Sequence, residues 1–212
     1  DITSLADQSS MDYLFCGTWA AGNQWFAITN QSNQLITLDT LTGARTIIAT
    51  CDPIDPNNES WVGISYDYLT NTMFGLTSDG YDSYLYTIDV STGVATYIGG
   101  TTGLMINLAC NLDGELYTLN LDDDKLYSID KITGSGTPIG PVGFSANYAQ
   151  DMEFDRSNNK LYMAAYADPG GRQLRYVDVN TGMTTLIGNF EGDAEITAMA
   201  IPYYEGTSPQ PS

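Results

Sequence analysis

Leu85-Tyr-Thr-Ile-Asp-Val-Ser-Thr-Gly-Val-Ala-Thr-Tyr-Ile-Gly99 decides the fold, because near copies of it recur at 35–49, 126–140 and 174–188. In each copy an apolar–polar alternation leads to an aspartate: Asp39, Asp89, Asp130 or Asp178. A Thr-Gly pair follows, its glycine being Gly43, Gly93, Gly134 or Gly182, and then a short strand-like ending with a threonine. Period-two alternation places successive side chains on opposite faces of a sheet. An aspartate starts a type I turn because its carboxylate accepts nearby backbone N–H groups. The glycine supplies the positive φ of the bulge that closes a hairpin. Each copy therefore reads as a β-hairpin, and the eight Asp and Gly positions as structural turn residues rather than catalytic ones.

Two further strands precede each hairpin. Trp25-Phe26, Met73-Phe74, Leu116-Tyr117 and Leu161-Tyr162 occupy equivalent second strands. The repeats run about 12–50, 61–99, 105–140 and 148–188, with signature aspartates 41 to 50 residues apart and no helical periodicity. Four-stranded meanders at that period indicate an all-β protein, a β-propeller of four-stranded antiparallel blades, because one meander cannot cover its own faces. Residues 196–201 read as one more first strand. It either closes a ring of four blades, the favoured reading, or opens a fifth. Residues 1–11 read as a polar lead-in and 203–212 as a linker-like tail to further domains of a longer chain.

The formal charge is −19, from 7 basic and 26 acidic residues. Nucleic acid and anionic membranes are poor partners for such a chain. No apolar run is long enough to span a bilayer. The opening Asp-Ile-Thr-Ser carries no signal-peptide pattern, as expected of a mature secreted chain or an excised domain. Cys16, Cys51 and Cys110 are an odd set. Either Cys16 and Cys51 bridge, or all three are buried thiols.

Residues 174–188 resemble the repeat of YVTN-type, surface-layer-like β-propellers. Residues 147–155 and 161–166 resemble propeller modules of large secreted or cell-surface proteins of Bacteroidetes-type bacteria. The resemblance implies a propeller at the cell surface, beside adhesive domains.

Histidine is absent, so nucleophile–histidine chemistry is excluded and only carboxylate catalysis of the glycosidase kind remains. Asp151 and Glu153 lie two apart on a first strand, on one face. In a channel they would repel unless a cation, calcium by ligand type, offset them, or unless solvent or backbone N–H groups met them. Asp122-Asp123-Asp124, Asp52 and Asp55 read as solvated acidic loops. Trp61, Phe144, Tyr148 and Phe190 lie in or beside the inter-blade loops, among amides and acids. They are either ligand contacts or packing between blades. Aromatic plus amide suits a protein or a glycan. The expected function is a non-enzymatic binding or adhesion module. The alternatives are a carboxylate enzyme at the central channel and a structural spacer.

Overall fold

The computed structural model describes residues 12–20, 22–55, 58–148 and 150–203. Blade 1 comprises β1 (Leu14–Ala20), β2 (Gln24–Thr29), β3 (Gln34–Leu38) and β4 (Arg45–Thr50). Blade 2 comprises β5 (Ser60–Asp67), β6 (Thr72–Ser78), β7 (Asp82–Ile88) and β8 (Ala95–Thr102). Blade 3 comprises β9 (Met105–Cys110), β10 (Leu116–Asn120), β11 (Lys125–Ile129) and β12 (Gly136–Pro141). In blade 4 the inner strand is split into β13 (Ser145–Ala146) and β14 (Asp151–Asp155). Both pair with the long β15 (Lys160–Asp168), and β16 (Gly171–Val177) and β17 (Thr184–Asn189) complete the sheet. Each sheet is an antiparallel meander, and together they form a four-blade β-propeller. Among the described residues the one helical element is a short 3₁₀ turn, Glu191–Asp193.

The turns form as the repeat dictates. Asp39 Oδ1 accepts the N–H groups of Leu41 and Thr42 at 2.9 and 2.8 Å. Asp130 does the same with Ile132 and Thr133, both at 2.8 Å. Asp89 takes Ser91 and Thr92, and Asp178 takes Asn180 N–H and the Thr181 hydroxyl. These bonds favour the ionised form and hold all four carboxyls below their ordinary range. The following Gly43, Gly93, Gly134 and Gly182 have φ of 71°, 72°, 73° and 79°. That left-handed region is open to glycine without a Cβ penalty.

The same glycines also join the blades. A Cβ on Gly93 would sit 2.7 Å from the Thr50 carbonyl oxygen, at the end of blade 1. A Cβ on Gly99, ending blade 2, would overlap the Thr133 carbonyl in the blade 3 turn. One on Gly140, ending blade 3, would overlap the Thr181 carbonyl in the blade 4 turn. The Thr-Gly turns of blades 2, 3 and 4 thus seat backbone-on-backbone against the outer strand of the blade before them.

Apolar packing follows the same order. One buried cluster runs through blades 2, 3 and 4, with Val62, Leu76, Leu108, Leu119, Met152 and Leu161 among its members. Another joins blades 1 and 2 through Cys16, Ile28, Trp61, Ile64, Tyr66 and Tyr86. Cys16, Cys51 and Cys110 are buried free thiols, so the Cys16–Cys51 bridge does not form. Burial pushes the Cys51 and Cys110 thiols up to about 12.

Residues 196–201 do not form the expected strand ladder. The segment lies beside β1 and β14, held by side chains. The Thr197 hydroxyl donates to the Leu14 carbonyl, and Met199 N–H donates to Asp151 Oδ2 at 2.6 Å. A Cβ on Gly17 would come 3.3 Å from Ala198 Cβ. The segment therefore occupies the seam between blade 4 and blade 1.

The joints predict a sharp contrast. Gly99→Val puts side-chain atoms into the Thr133 backbone and should cost about 3 kcal/mol of stability. A Cβ on Gly188, the equivalent glycine of blade 4, has nothing within 4 Å. Gly188→Val should change stability by less than about 0.5 kcal/mol. Urea unfolding of the two variants checks both values.

Candidate binding site at the mouth of the propeller axis

All inner strands run in one direction, so the loops that enter them share one face of the ring with the loops between second and third strands. Residues from all four blades meet there around a cavity of about 330 Å³. Blade 1 contributes Tyr13, Phe15 and Asn30; blade 2 contributes Ser60, Val62, Asp79 and its preceding Asn58. Leu104 enters from blade 3 and Tyr148 from blade 4. Tyr13 and Tyr148 are 47% and 51% exposed, so much of each ring stays at the surface of the cup rather than being spent on packing. Tyr13 and Phe15 rings lie 6.2 Å apart, and Asn30 Nδ2 donates to the Tyr13 hydroxyl at 2.7 Å.

At the other end of the axis the inner-strand ends converge on a stack. The Arg156 guanidinium lies 3.5 Å from the Tyr68 ring centre and 5.6 Å from that of Tyr203. Tyr68 donates to the Trp19 carbonyl, and Trp19 Nε1 donates to that of Tyr203. Larger grooves of about 530 and 430 Å³ open on blades 2 and 3. They run through equivalent strands and turns of the repeat, so they follow from the architecture and single out no chemistry. The cup at the axis mouth is the concavity that draws on every blade.

Its electrostatics are negative. Asp79 accepts the N–H groups of Asp82 and Tyr81 and the Tyr84 hydroxyl, which holds its carboxyl below the ordinary range. Beside Tyr13, burial would raise Asp12, but hydrogen bonds from Ser32 and Gln31 outweigh it and bring the carboxyl down. Arg45 donates to the Asp12 carbonyl, Lys125 pairs with Asp123 at 2.8 Å, and Arg172 pairs with Asp193 at 2.7 Å and Glu195 at 3.5 Å.

Of the aromatic residues expected in a site, Tyr148 alone lines the cup. Trp61 is 2% exposed, donates through Nε1 to the Cys51 carbonyl at 2.7 Å and packs edge-on to Tyr86. It lies in the core, as its position inside β5 requires. Phe144 is half-buried beneath the Arg175 guanidinium, 4.5 Å from its ring centre. Phe190 is half-buried, with its N–H bonded to the Arg172 carbonyl. Neither lines the cup. Tyr13, Phe15 and Asn30 were not singled out in sequence, although Tyr13 precedes its inner strand much as Tyr148 does.

Asp151 and Glu153 face the seam with blade 1, not an open channel. Asp151 Oδ2 accepts the N–H of Gly17 at 3.2 Å and of Met199 at 2.6 Å, while Oδ1 accepts that of Met152 at 2.9 Å. Glu153 Oε2 accepts the Thr18 hydroxyl at 2.7 Å and Trp19 N–H at 3.2 Å. Backbone donors therefore meet this pair, one of the two environments foreseen for it. N–H dipoles aim their positive ends at the oxygens a calcium ion would need, and calcium takes six to eight oxygens. The donor set does not fit the metal. Among the described residues no three acidic or cysteine side chains gather to hold one. At 0% and 5% exposure the pair also opens onto no cleft for a substrate.

No family model matches the chain, and no curated protein matches it. Solved structures do. A protein of unknown function from Bacteroides thetaiotaomicron superposes with a TM-score of 0.60 at 12% identity, over 85% of this chain and 45% of that one. TolB from Acinetobacter baumannii gives 0.57 at 15% identity, over 87% of this chain and 45% of its own. A chain of a nidogen/laminin complex gives 0.52 at 9% identity, over 76% and 59%. The chain thus spans about half the length of these structures, and the likeness is one of fold.

The seam carboxyls make stability depend on pH. Burial pushes Asp151 well above its ordinary value and Glu153 from 4.5 up to about 8. A group raised on folding contributes fully below its unfolded pKa, and the contribution is lost as pH rises through the folded value. Stability should therefore fall between about pH 4.5 and 8, by several kcal/mol at most. Glu153→Gln, which keeps an oxygen acceptor for Thr18 and Trp19, should flatten that slope. Chemical denaturation across this pH range measures it.

Proposed function

We propose that this chain is a non-enzymatic recognition module of a secreted or cell-surface protein, engaging its partner at the mouth of the propeller axis. The observation that carries the reading is the four-blade cup with exposed Tyr13 and Tyr148, the Phe15 ring and the amides of Asn30 and Asn58. Half-exposed aromatics beside amides give a large contact area together with hydrogen-bond choice. Ionised Asp12 and Asp79 and a formal charge of −19 favour a protein segment bearing lysine or arginine. A cation seated over a tyrosine face gains further from the ring quadrupole.

Support also comes from the comparisons, since one similar fold was solved in a nidogen/laminin complex. The Bacteroides thetaiotaomicron match, a protein of unknown function, supports the propeller fold on which the reading rests. No helix among the described residues is long and apolar enough to cross a membrane. The aromatic–amide lining also suits a glycan, and that is the second reading.

An array carrying basic, neutral and acidic peptides beside glycans tests the proposal. Wild-type protein should bind basic peptides, more weakly as salt rises. Tyr148→Ala should weaken binding about 5- to 10-fold, equivalent to about 1–1.4 kcal/mol. Tyr148 is half exposed, so the variant should fold normally. Binding confined to neutral glycans would replace the first reading with the second, and a blank array would remove both.

A further inference from the structure

Asp79 is the one acid among the described residues that line the cup, and it is half-buried. Its Oδ1 accepts the N–H groups of Tyr81 at 2.9 Å and Asp82 at 2.8 Å, and its Oδ2 accepts the Tyr84 hydroxyl at 2.8 Å. A carboxylate has about four acceptor sites, so one remains, on Oδ2. No lysine or arginine among the described residues pairs with it. A Cβ on the adjacent Gly80 would meet nothing within 4 Å, so the approach is open. Asn30 and Asn58 spend amide N–H groups on the Tyr13 hydroxyl at 2.7 Å and on Asp55 Oδ2 at 2.6 Å. Their side-chain carbonyl oxygens accept no hydrogen bond among the described residues. The cup therefore offers separate single acceptors, with Phe15, Val62 and Leu104 as apolar lining.

The same arrangement occurs complete elsewhere in the chain. Asp67 Oδ1 accepts Leu69 N–H at 2.8 Å, and its Oδ2 accepts the Thr70 hydroxyl at 2.9 Å and the Lys131 ammonium at 2.7 Å. Lys131 Nζ lies 5.8 Å from the Phe74 ring centre. Asp79 repeats this pattern, with turn N–H groups on one oxygen and a hydroxyl on the other, but without the ammonium. The chain seats a guanidinium differently. Arg172 lies 3.9 Å from the Tyr166 ring centre and reaches two carboxylates, Asp193 at 2.7 Å and Glu195 at 3.5 Å. A planar fork calls for paired acceptors, whereas a lysine ammonium is a compact charge on a flexible apolar stem. One remaining carboxylate site satisfies the ammonium and not the fork.

We propose, on the premise that the cup engages a basic protein segment, that it receives one lysine side chain of the partner, with the ammonium on Asp79 Oδ2. The stem lies along the apolar lining, and the other ammonium protons meet the amide carbonyls or water. A cavity of about 330 Å³ is at the small end for ligand pockets and suits a single side chain. A trimethylated lysine has no proton to donate, so it leaves the acceptors unmet.

The test takes the tightest basic peptide from the array and remakes it with its basic residues all lysine, all arginine or all trimethyllysine. Titration calorimetry at fixed salt should show the lysine form binding at least about fivefold tighter than either other form. Asp79→Asn keeps an oxygen for the Tyr81 and Asp82 N–H groups, and it should weaken the lysine form at least about tenfold with an unchanged melting temperature. Tyr84→Phe removes the hydroxyl from Oδ2 and frees a second acceptor site there. It should narrow the gap between lysine and arginine forms by about threefold or more. Arginine or trimethyllysine binding as tightly as lysine, or an Asp79→Asn protein that binds lysine undiminished, would overturn the lysine assignment and leave the basic-segment reading standing. Binding of none of the three forms would remove that reading itself.

Discussion

Backbone laid directly on backbone sets the pitch of this ring. At the three joints from blade 1 through blade 4 a Thr-Gly turn presents a peptide group with no side chain over it, and the preceding outer strand carries a residue small enough to receive it. The Gly99–Thr133 and Gly140–Thr181 contacts leave no room for even one methyl group. A close approach of this kind fixes the distance between sheets more rigidly than interdigitating side chains, which can repack. The apolar clusters then fill the wedge between sheets whose spacing is already set.

The seam between blade 4 and blade 1 is built from different chemistry. Apolar side chains dominate the other interfaces, whereas here Asp151, Glu153 and Thr18 are buried and hydrogen-bonded. The carboxylate oxygens supply acceptors to N–H groups of β1 and of the final segment, which would otherwise be left unmatched away from water. Burying acids in this way is costly, and the raised pKa values express that cost. Blade 1 and blade 4 are thus brought together by directional bonds, which specify one alignment where greasy packing would tolerate several.

The features readable in sequence were those whose causes are local. An aspartate that bonds two or three residues ahead, and a glycine at φ near 71° to 79°, imprint themselves on a short string whatever the tertiary context. Four repetitions of that string were enough for the meanders and the propeller. The seam was harder because Thr18 and Glu153 meet across 135 positions, and only the closed ring brings them together. Residues 196–201 read as a strand because their pattern is that of one; in the folded chain Thr197 and Met199 bond to β1 and β14 through side chains rather than through a backbone ladder. Trp61 and Tyr148 both stood next to loops in the sequence. Trp61 falls inside β5 and Tyr148 in the break between β13 and β14, and that placement separates a core ring from an exposed one; element boundaries are the least legible part of a pattern. The cup itself was invisible, since Tyr13, Asn30, Asp79 and Tyr148 belong to separate blades.

The interchangeable character of the inter-blade contacts bears on how such a molecule could have grown. Each unit carries on one flank the knob and on the other the hollow that its neighbour needs, so tandem duplication of a single unit creates no surface requiring a new partner. Ring size then becomes a matter of copy number and curvature, while novelty concentrates in the loops at the axis, where every unit contributes different residues to a common vestibule.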